Sequence, residues 1–89
     1  MKLHYEDACR ELTEREVDRL SRIFHGDFEC TCIEEGKNEL RIICKGEIKR
    51  NSKTEKISYS AIYRKGGNAW RRKDWSIVGG SITPEELRE

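Results

Sequence analysis

The sequence of 89 residues has little of what marks membrane proteins, secreted proteins or proteins with long linkers. It contains one proline and one methionine, and 35% of its residues are hydrophobic. No apolar run approaches the roughly 18 residues that a transmembrane helix needs, so no membrane partner is expected. The N-terminus has no apolar segment like that of a secretory signal. Because no Pro- or Ser-rich linker interrupts the chain, we expect one domain over 3–80 and a short tail over 81–89 that either frays or becomes ordered on a partner.

Sequence motifs for catalysis and nucleotide binding are also missing. The Gly-Gly pairs at 66–67 and 79–80 fit neither the dinucleotide-binding nor the P-loop pattern, and they are typical of turns. His4 and His25 stand in no motif, and no spacing joins them to a nucleophile. We therefore expect a protein that is not an enzyme and that uses no cofactor.

Four cysteines occur, at positions 9, 30, 32 and 44. Without a secretory signal, we expect a cytoplasmic protein whose thiols stay reduced. Cys30 and Cys32 form a C-x-C on one predicted strand, whereas structural zinc sites usually use knuckles with wider spacing on turns. We interpret the cysteines as small hydrophobic core residues. A zinc site and a cross-strand disulfide are the alternatives.

The clearest local pattern predicts a helix over about 14–25, and the segment 4–12 before it is expected to form a short helix of its own. Thr13 and Glu16 have the spacing of a capping box. Gly26 suits the C′ position, which needs a positive φ. The buried face of this helix should carry the apolar residues at three- and four-residue spacing, which are Val17, Leu20 and Phe24.

Beyond residue 27 the pattern changes to alternation of apolar and polar residues, which predicts half-buried strands. A fourth segment follows, whose register is open because Trp70 and Trp75 have opposite parity. We therefore expect an α+β fold in which one or two N-terminal helices pack on a three- to four-stranded antiparallel β-meander. The three alternating segments lie at about 28–32, 40–48 and 57–63.

Matching the inward-facing residues of the second and third strands predicts their register. It sets Ile48 opposite Ile57, and it sets Gly46 opposite Tyr59, an aromatic residue that covers a glycine. Like charges directly opposite each other are mildly destabilising, so the outer face should need an anionic ligand, neighbouring acids or solvent. The like-charge pairs that this register predicts there are Arg41–Arg64 and Lys49–Lys56.

Charge is unevenly divided along the chain. Residues 1–36 carry five bases and ten acids, whereas residues 45–73 carry ten bases and two acids. This asymmetry predicts a polyanionic partner, either nucleic acid or an acidic protein surface; a solvated, charge-balanced domain is the alternative. The expected binding residues are Arg41, Lys45, Lys49, Lys56, Arg64, Trp70, Arg71, Arg72 and Lys73.

Two functions follow from these residues as hypotheses. The first is a small non-enzymatic binding protein whose basic sheet face engages nucleic acid, with Trp70 or Trp75 as the platform on which a base stacks. The second is an inhibitor or regulator, of the kind that phages and mobile elements make, that binds a host protein or nucleoprotein complex. It would use a small apolar patch of Ile43 and Ile62 framed by charges.

Overall fold

The computed structural model describes residues 5–79 and 82–87. Within them it has one helix and four antiparallel strands in the order β1-β2-β3-β4, which confirms the expected α+β fold. No helix in this part of the chain is long and apolar enough to cross a membrane. The elements are α1 (Glu6–Phe24), β1 (Asp27–Gly36), β2 (Glu39–Arg50), β3 (Lys53–Gly66), β4 (Ala69–Val78) and a 3-10 helix (Pro84–Leu87).

Of the one or two expected helices the structure forms one, α1, which also includes most of the segment 4–12 that was expected to be a short helix of its own. Its apolar stripe continues on both sides of Thr13, and this outweighs the modest helix propensity of one threonine. The capping box is therefore wrong: Thr13 lies inside the helix, and Glu16 is buried against the sheet. Residue 4, where the first helix was expected to start, lies outside the described residues. The predicted burial of Leu20 and Phe24 is confirmed, and Val17 is half-buried.

The helix ends at His25 rather than at Gly26. His25 has a left-handed backbone (φ 52°, ψ 42°), and its N–H donates to the Ser21 carbonyl oxygen at 2.9 Å. Gly26 is required for a different reason, because a Cβ there would lie 2.5 Å from the carbonyl oxygen of Glu47. The glycine marks a close approach of the chain to β2.

All four cysteines form disulfides, so the expectation of reduced thiols is wrong. Cys30 and Cys44 lie directly opposite each other on β1 and β2, with their Cα atoms 4.0 Å apart. Cys9 of α1 bonds to Cys32, with a Cα–Cα distance of 5.6 Å. The C-x-C spacing places two sulfurs on one side of β1, but each finds a partner on a different element. The two bonds attach β1 to both α1 and β2.

A two-residue turn sets the register of β2 and β3. Asn51 and Ser52 both have positive φ, at 51° and 65°, as type I′ hairpin turns require, and Arg50 pairs with Lys53. The observed register is therefore two residues away from the predicted one. Because the shift is even, each side chain still faces the predicted side of the sheet.

The shift changes which aromatic ring covers Gly46. Gly46 pairs with Ile57 on β3, whereas Tyr59, its predicted partner, pairs with Cys44. On the other side of β2, Gly46 pairs with Phe28 of β1, and an added Cβ would lie 2.5 Å from the Phe28 ring. An aromatic residue does cover the glycine, but it comes from β1.

A bulge in β4 explains the opposite parity of the two tryptophans. Ile62 of β3 pairs with Asp74, and the next residue, Tyr63, pairs with Arg72. Lys73 therefore has no partner on β3 and is the extra residue of the bulge. The alternation slips by one there, so Trp70 and Trp75 both lie on the helix side of the sheet, where each is half-buried. The ring of Trp70 meets the ring of Tyr5 edge-on, with centroids 5.1 Å apart.

Two residues of the C-terminal segment, Ile82 and Leu87, pack against the core, although a frayed tail was one of the expectations. Leu87 is 1% exposed and joins the hydrophobic core, with Ile82 packed against it. An apolar residue that reaches the core orders a segment too short to be stable alone. The predicted domain limits at 3 and 80, and the tail residues 81, 88 and 89, lie outside the described residues.

Candidate functional site

The predicted binding residues do not all lie on one side of the sheet. We call the side opposite α1 the outer face. Trp70 and Arg72 lie on the helix side, and Lys73 occupies the bulge. The other six predicted residues lie on the outer face, which are Arg41, Lys45, Lys49, Lys56, Arg64 and Arg71.

Opposite charges, not like charges, face each other between β2 and β3. The predicted like-charge pairs, Arg41–Arg64 and Lys49–Lys56, are wrong because the tight turn shifts the register by two residues. Attractive cross-strand pairs contribute roughly 0.2–1 kcal/mol each to the stability of the sheet, whereas like-charge pairs would destabilise it. The pairs that the structure forms instead are Glu39–Arg64 and Glu47–Lys56.

Only some of the bases on this side have an acidic partner. The Nε of Arg41 lies 2.7 Å from the carboxylate of Glu35, and an Arg64 guanidinium nitrogen lies 3.1 Å from Glu39. Among the residues that the structure describes, no ion pair forms at the remaining bases, which are Lys45, Lys49, Lys56, Arg71 and Lys73. The charge of these five side chains is available to a partner.

Three of these lysines line one open groove of about 1080 Å³: Lys45, Lys49 and Lys56. The groove is lined by the C-terminal end of α1, the start of β1, the end of β2 and the start of β3. Acidic and apolar side chains line it as well, and they include Asp27, Glu29, Glu47, Ile23 and Ile57. The groove therefore presents both signs of charge together with apolar surface.

The outer face also exposes apolar side chains. Ile33 of β1 is 45% exposed, and Val78 of β4 is 72% exposed. The expected patch of Ile43 and Ile62 lies between them, with both residues half-buried. These two side chains are diagonal neighbours, since Ile43 pairs with Ser60. The outer face thus combines an apolar centre with charged surroundings.

A buried charge cluster on the helix side escaped the sequence analysis. Glu16 is completely buried, and Tyr63 donates its hydroxyl proton to one of its carboxylate oxygens. Arg72 donates to the same oxygen at 3.2 Å, and a guanidinium nitrogen of Arg19 lies 3.7 Å from the other oxygen. The available signal was the helical spacing, because Glu16 continues the stripe formed by the apolar residues of α1.

Arg19 extends this cluster to the C-terminal segment. It donates to the hydroxyl of Tyr59 at 3.2 Å and to the carbonyl oxygen of Leu87. Burial, followed by the charge of Glu16, raises the pKa of Tyr59 to about 12. Burial and the hydrogen bond to Glu16 also raise the pKa of Tyr63. These side chains bond to one another and to the Leu87 carbonyl oxygen. We therefore interpret the cluster as a structural one that joins α1, the sheet and the C-terminal segment.

Comparisons with known proteins identify the fold and nothing further. No family model matches the sequence, and no curated protein matches it. One solved structure is similar, a de novo designed β-sheet protein described as a cystatin fold. The TM-score is 0.63 at 19% sequence identity, over 89% of this chain and 100% of that chain. This chain therefore has a cystatin-like arrangement of one helix on a four-stranded antiparallel sheet.

Proposed function

We propose that this chain is a non-catalytic binding protein that engages an acidic partner through the outer face of its sheet. One observation carries the proposal: Lys45, Lys49 and Lys56 line a single groove, and none of them forms an ion pair with a described residue, although Glu29 and Glu47 stand opposite Lys45 and Lys56 in the sheet. A cluster of unpaired bases attracts an acidic surface and orients it during association.

A protein suits this groove better than nucleic acid does. Asp27, Glu29 and Glu47 line the groove beside the lysines, and a protein surface can place basic side chains opposite these acids, whereas a phosphate backbone carries negative charge only. The half-buried Ile23 at the end of α1 adds apolar surface to the groove, which suits a side chain of a protein segment. The partner we propose is an acidic protein surface, and the function is that of an inhibitor or regulator that covers a site on a host protein or nucleoprotein complex.

Nucleic acid is the second candidate, because the outer face of β3 carries Lys56 and Arg64 and no acid. Arg71, which pairs with Arg64, continues this basic row onto β4. Both tryptophans are half-buried on the helix side, so the stacking platform predicted from the sequence lies on the wrong side of the sheet. Binding would then depend on phosphate contacts and would weaken steeply with salt.

The disulfides bear on where the protein works. A cytoplasmic location was predicted because the sequence shows no secretory signal, and most cytoplasms keep thiols reduced. We propose instead a compartment that preserves Cys9–Cys32 and Cys30–Cys44. Extracellular space and the cytoplasm of a hyperthermophile both do so, and the 39% of charged residues is in line with the second.

Two labelled probes test the proposal: a glutamate polymer as an acidic polypeptide and a mixed-sequence DNA duplex. Binding is measured by fluorescence anisotropy over a range of salt concentrations. The variant Lys45→Glu/Lys49→Glu/Lys56→Glu should bind about a hundredfold more weakly, because it replaces three attractions with repulsions. The control Arg10→Glu/Arg15→Glu reverses two exposed bases on α1 and should bind as the wild type does.

The two probes also separate the two candidates. Tighter binding of the glutamate polymer favours a protein partner, and tighter binding of the duplex favours nucleic acid. The proposal is contradicted if neither probe binds the wild type, or if the triple variant binds as well as the wild type. It is contradicted equally if the α1 control loses as much affinity as the triple variant.

A further inference from the structure

The two edge strands of the sheet carry opposite charge. The edge strand β1 contains four acids and no base, and the edge strand β4 contains three bases and one acid. Both strands are ten residues long, and neither has a strand on its free side among residues 5–79 and 82–87. The charged residues concerned are Asp27, Glu29, Glu34 and Glu35 on β1, and Arg71, Arg72, Lys73 and Asp74 on β4.

We propose that β4 of one copy pairs with β1 of a second copy of this chain, so that one antiparallel sheet continues across the two molecules. Strand direction alternates from β1 to β4, so a second β1 that lies antiparallel to β4 continues the same alternation. The unpaired N–H and C=O groups along both edges supply the main-chain hydrogen bonds of such a junction.

The lengths and charges of the strands favour one register. Nearly full overlap of the two strands brings the start of β4 beside the end of β1 of the second copy. With the helix sides of the two sheets aligned, Arg71 then lies opposite Glu35 of the second copy. Arg71 and Glu35 both belong to the outer face, since Arg71 pairs with Arg64 and Glu35 forms its ion pair with Arg41. Opposite charges in directly facing positions stabilise strand pairing.

Charge at these edges also selects against one alternative junction. Charged edge strands usually prevent sheets from joining. Pairing of β1 with a second β1 would place acids against acids, Asp27 near Glu35 among them, and is therefore disfavoured. Pairing of β4 with a second β4 is less strongly opposed, because it can place Lys73 beside Asp74. The test below distinguishes that junction from the one proposed.

Two variants with reversed edges test the junction by sedimentation velocity. Asp27→Lys/Glu29→Lys/Glu35→Lys gives β1 three bases and one acid, as β4 has, and Arg71→Glu/Lys73→Glu gives β4 three acids and one base. The wild type should self-associate in a concentration-dependent way, with an association constant that falls about tenfold from low to high salt. Each variant alone should stay monomeric, and an equimolar mixture of the two should associate, since every basic edge then meets an acidic one.

The mixture shows whether the two variants have kept a folded edge. A wild type that stays monomeric up to about 1 mM overturns the proposal, because even weak specific contacts are populated there. Association of the β1 variant alone overturns it in favour of β4–β4 pairing. A monomeric mixture overturns it if both variants keep the circular dichroism of the wild type. If a reversal unfolds the chain, Glu29→Gln/Glu35→Gln and Arg71→Gln/Lys73→Gln replace it, and each must weaken association and reduce its dependence on salt.

Discussion

The two sides of the sheet hold charge in opposite ways. On the helix side, Glu16 is completely buried, and its carboxylate receives a hydroxyl proton from Tyr63 and a guanidinium hydrogen from Arg72. On the outer face, Lys45 and Lys49 are exposed and have no ion pair with any described residue. Breaking a buried ion pair strongly destabilises a protein, whereas changing an exposed charge has little effect. Charge on the helix side therefore maintains the fold, whereas Lys45 and Lys49 on the outer face contribute little to stability.

The largest expected effect concerns the covalent bonds on the helix side. Reduction of Cys9–Cys32 and Cys30–Cys44 should lower the free energy of unfolding by about 3 kcal/mol for each bond, because each closes a loop, of 23 and 14 residues in sequence separation. If the two effects add, the sum of about 6 kcal/mol is close to the whole stability of a small domain. Urea unfolding with and without reductant measures it.

Mass spectrometry provides the control for this prediction. The oxidised chain should be four hydrogens lighter than the reduced chain. A chain purified without reductant that has the mass of four free thiols would contradict the disulfides, and an unchanged urea midpoint after full reduction would contradict their contribution to stability.

The next largest effect comes from the buried carboxylate. Glu16→Ala leaves the buried Arg19, and the Arg72 side chain that is 29% exposed, without their acid and should cost about 3–5 kcal/mol. Glu14→Ala, two residues away on the exposed side of α1, is the matched control and should stay within about 0.5 kcal/mol. Equal losses in the two variants, measured by urea unfolding, would mean that the cluster does not stabilise the fold.

High pH should weaken the same cluster. The pKa of Tyr59 is raised from 10.0 to about 12 in the folded chain, chiefly by burial, so the folded state holds its proton more tightly than the unfolded state does. This contribution to stability is complete below pH 10 and decreases by about 1.4 kcal/mol per pH unit up to about 12. Tyrosinate absorbance and circular dichroism, followed together, should change in one transition in this window. Ionisation of all three tyrosines without loss of structure would contradict the prediction.

A smaller loss of stability is expected when one of two glycines in the β1–β2 hairpin is replaced by alanine. Gly46→Ala should cost about 1–3 kcal/mol, because its Cβ would lie 2.5 Å from the Asp27 carbonyl oxygen and from the Phe28 ring. Gly36→Ala is the control, since no atom lies within 4 Å of an added Cβ at that position. Thermal unfolding of the two variants compares them directly, and equal midpoints would show that β1 moves away from Gly46 without cost.

Alternation along the strands predicted which side of the sheet each residue faces, and it did so for Arg41, Lys45 and Arg64. The side depends only on parity, which the sequence displays directly. The register is different, because it depends on the positive φ angles of Asn51 and Ser52. Nothing in the alternating pattern shows whether such a turn has two residues or four. The predicted repulsion on the outer face failed for that reason alone.

The remaining differences come from contacts between distant parts of the chain. The pairing of Cys9 with Cys32 requires α1 to lie over β1, and the extra residue at Lys73 appears only when β4 is paired with β3. The short-range pattern around Glu16 matched a capping box, while its actual partners lie 47 and 56 residues away in the sequence. A pattern within one segment contains no information about such partners. The sequence therefore predicted on which side of the sheet the candidate binding residues of β2 and β3 lie, but not which residues lie next to them.

The most direct test of the account measures folding and binding on the same variant, Lys45→Glu/Lys49→Glu/Lys56→Glu. If the charge of these lysines serves binding rather than folding, the variant's free energy of unfolding in urea should fall by only about 1–2 kcal/mol, because Lys45 and Lys56 face Glu29 and Glu47 in the sheet. Its affinity for the glutamate polymer should fall about a hundredfold at the same time. A variant that unfolds as it loses binding, or one that stays folded and binds as before, would contradict the division of roles between the two sides of the sheet.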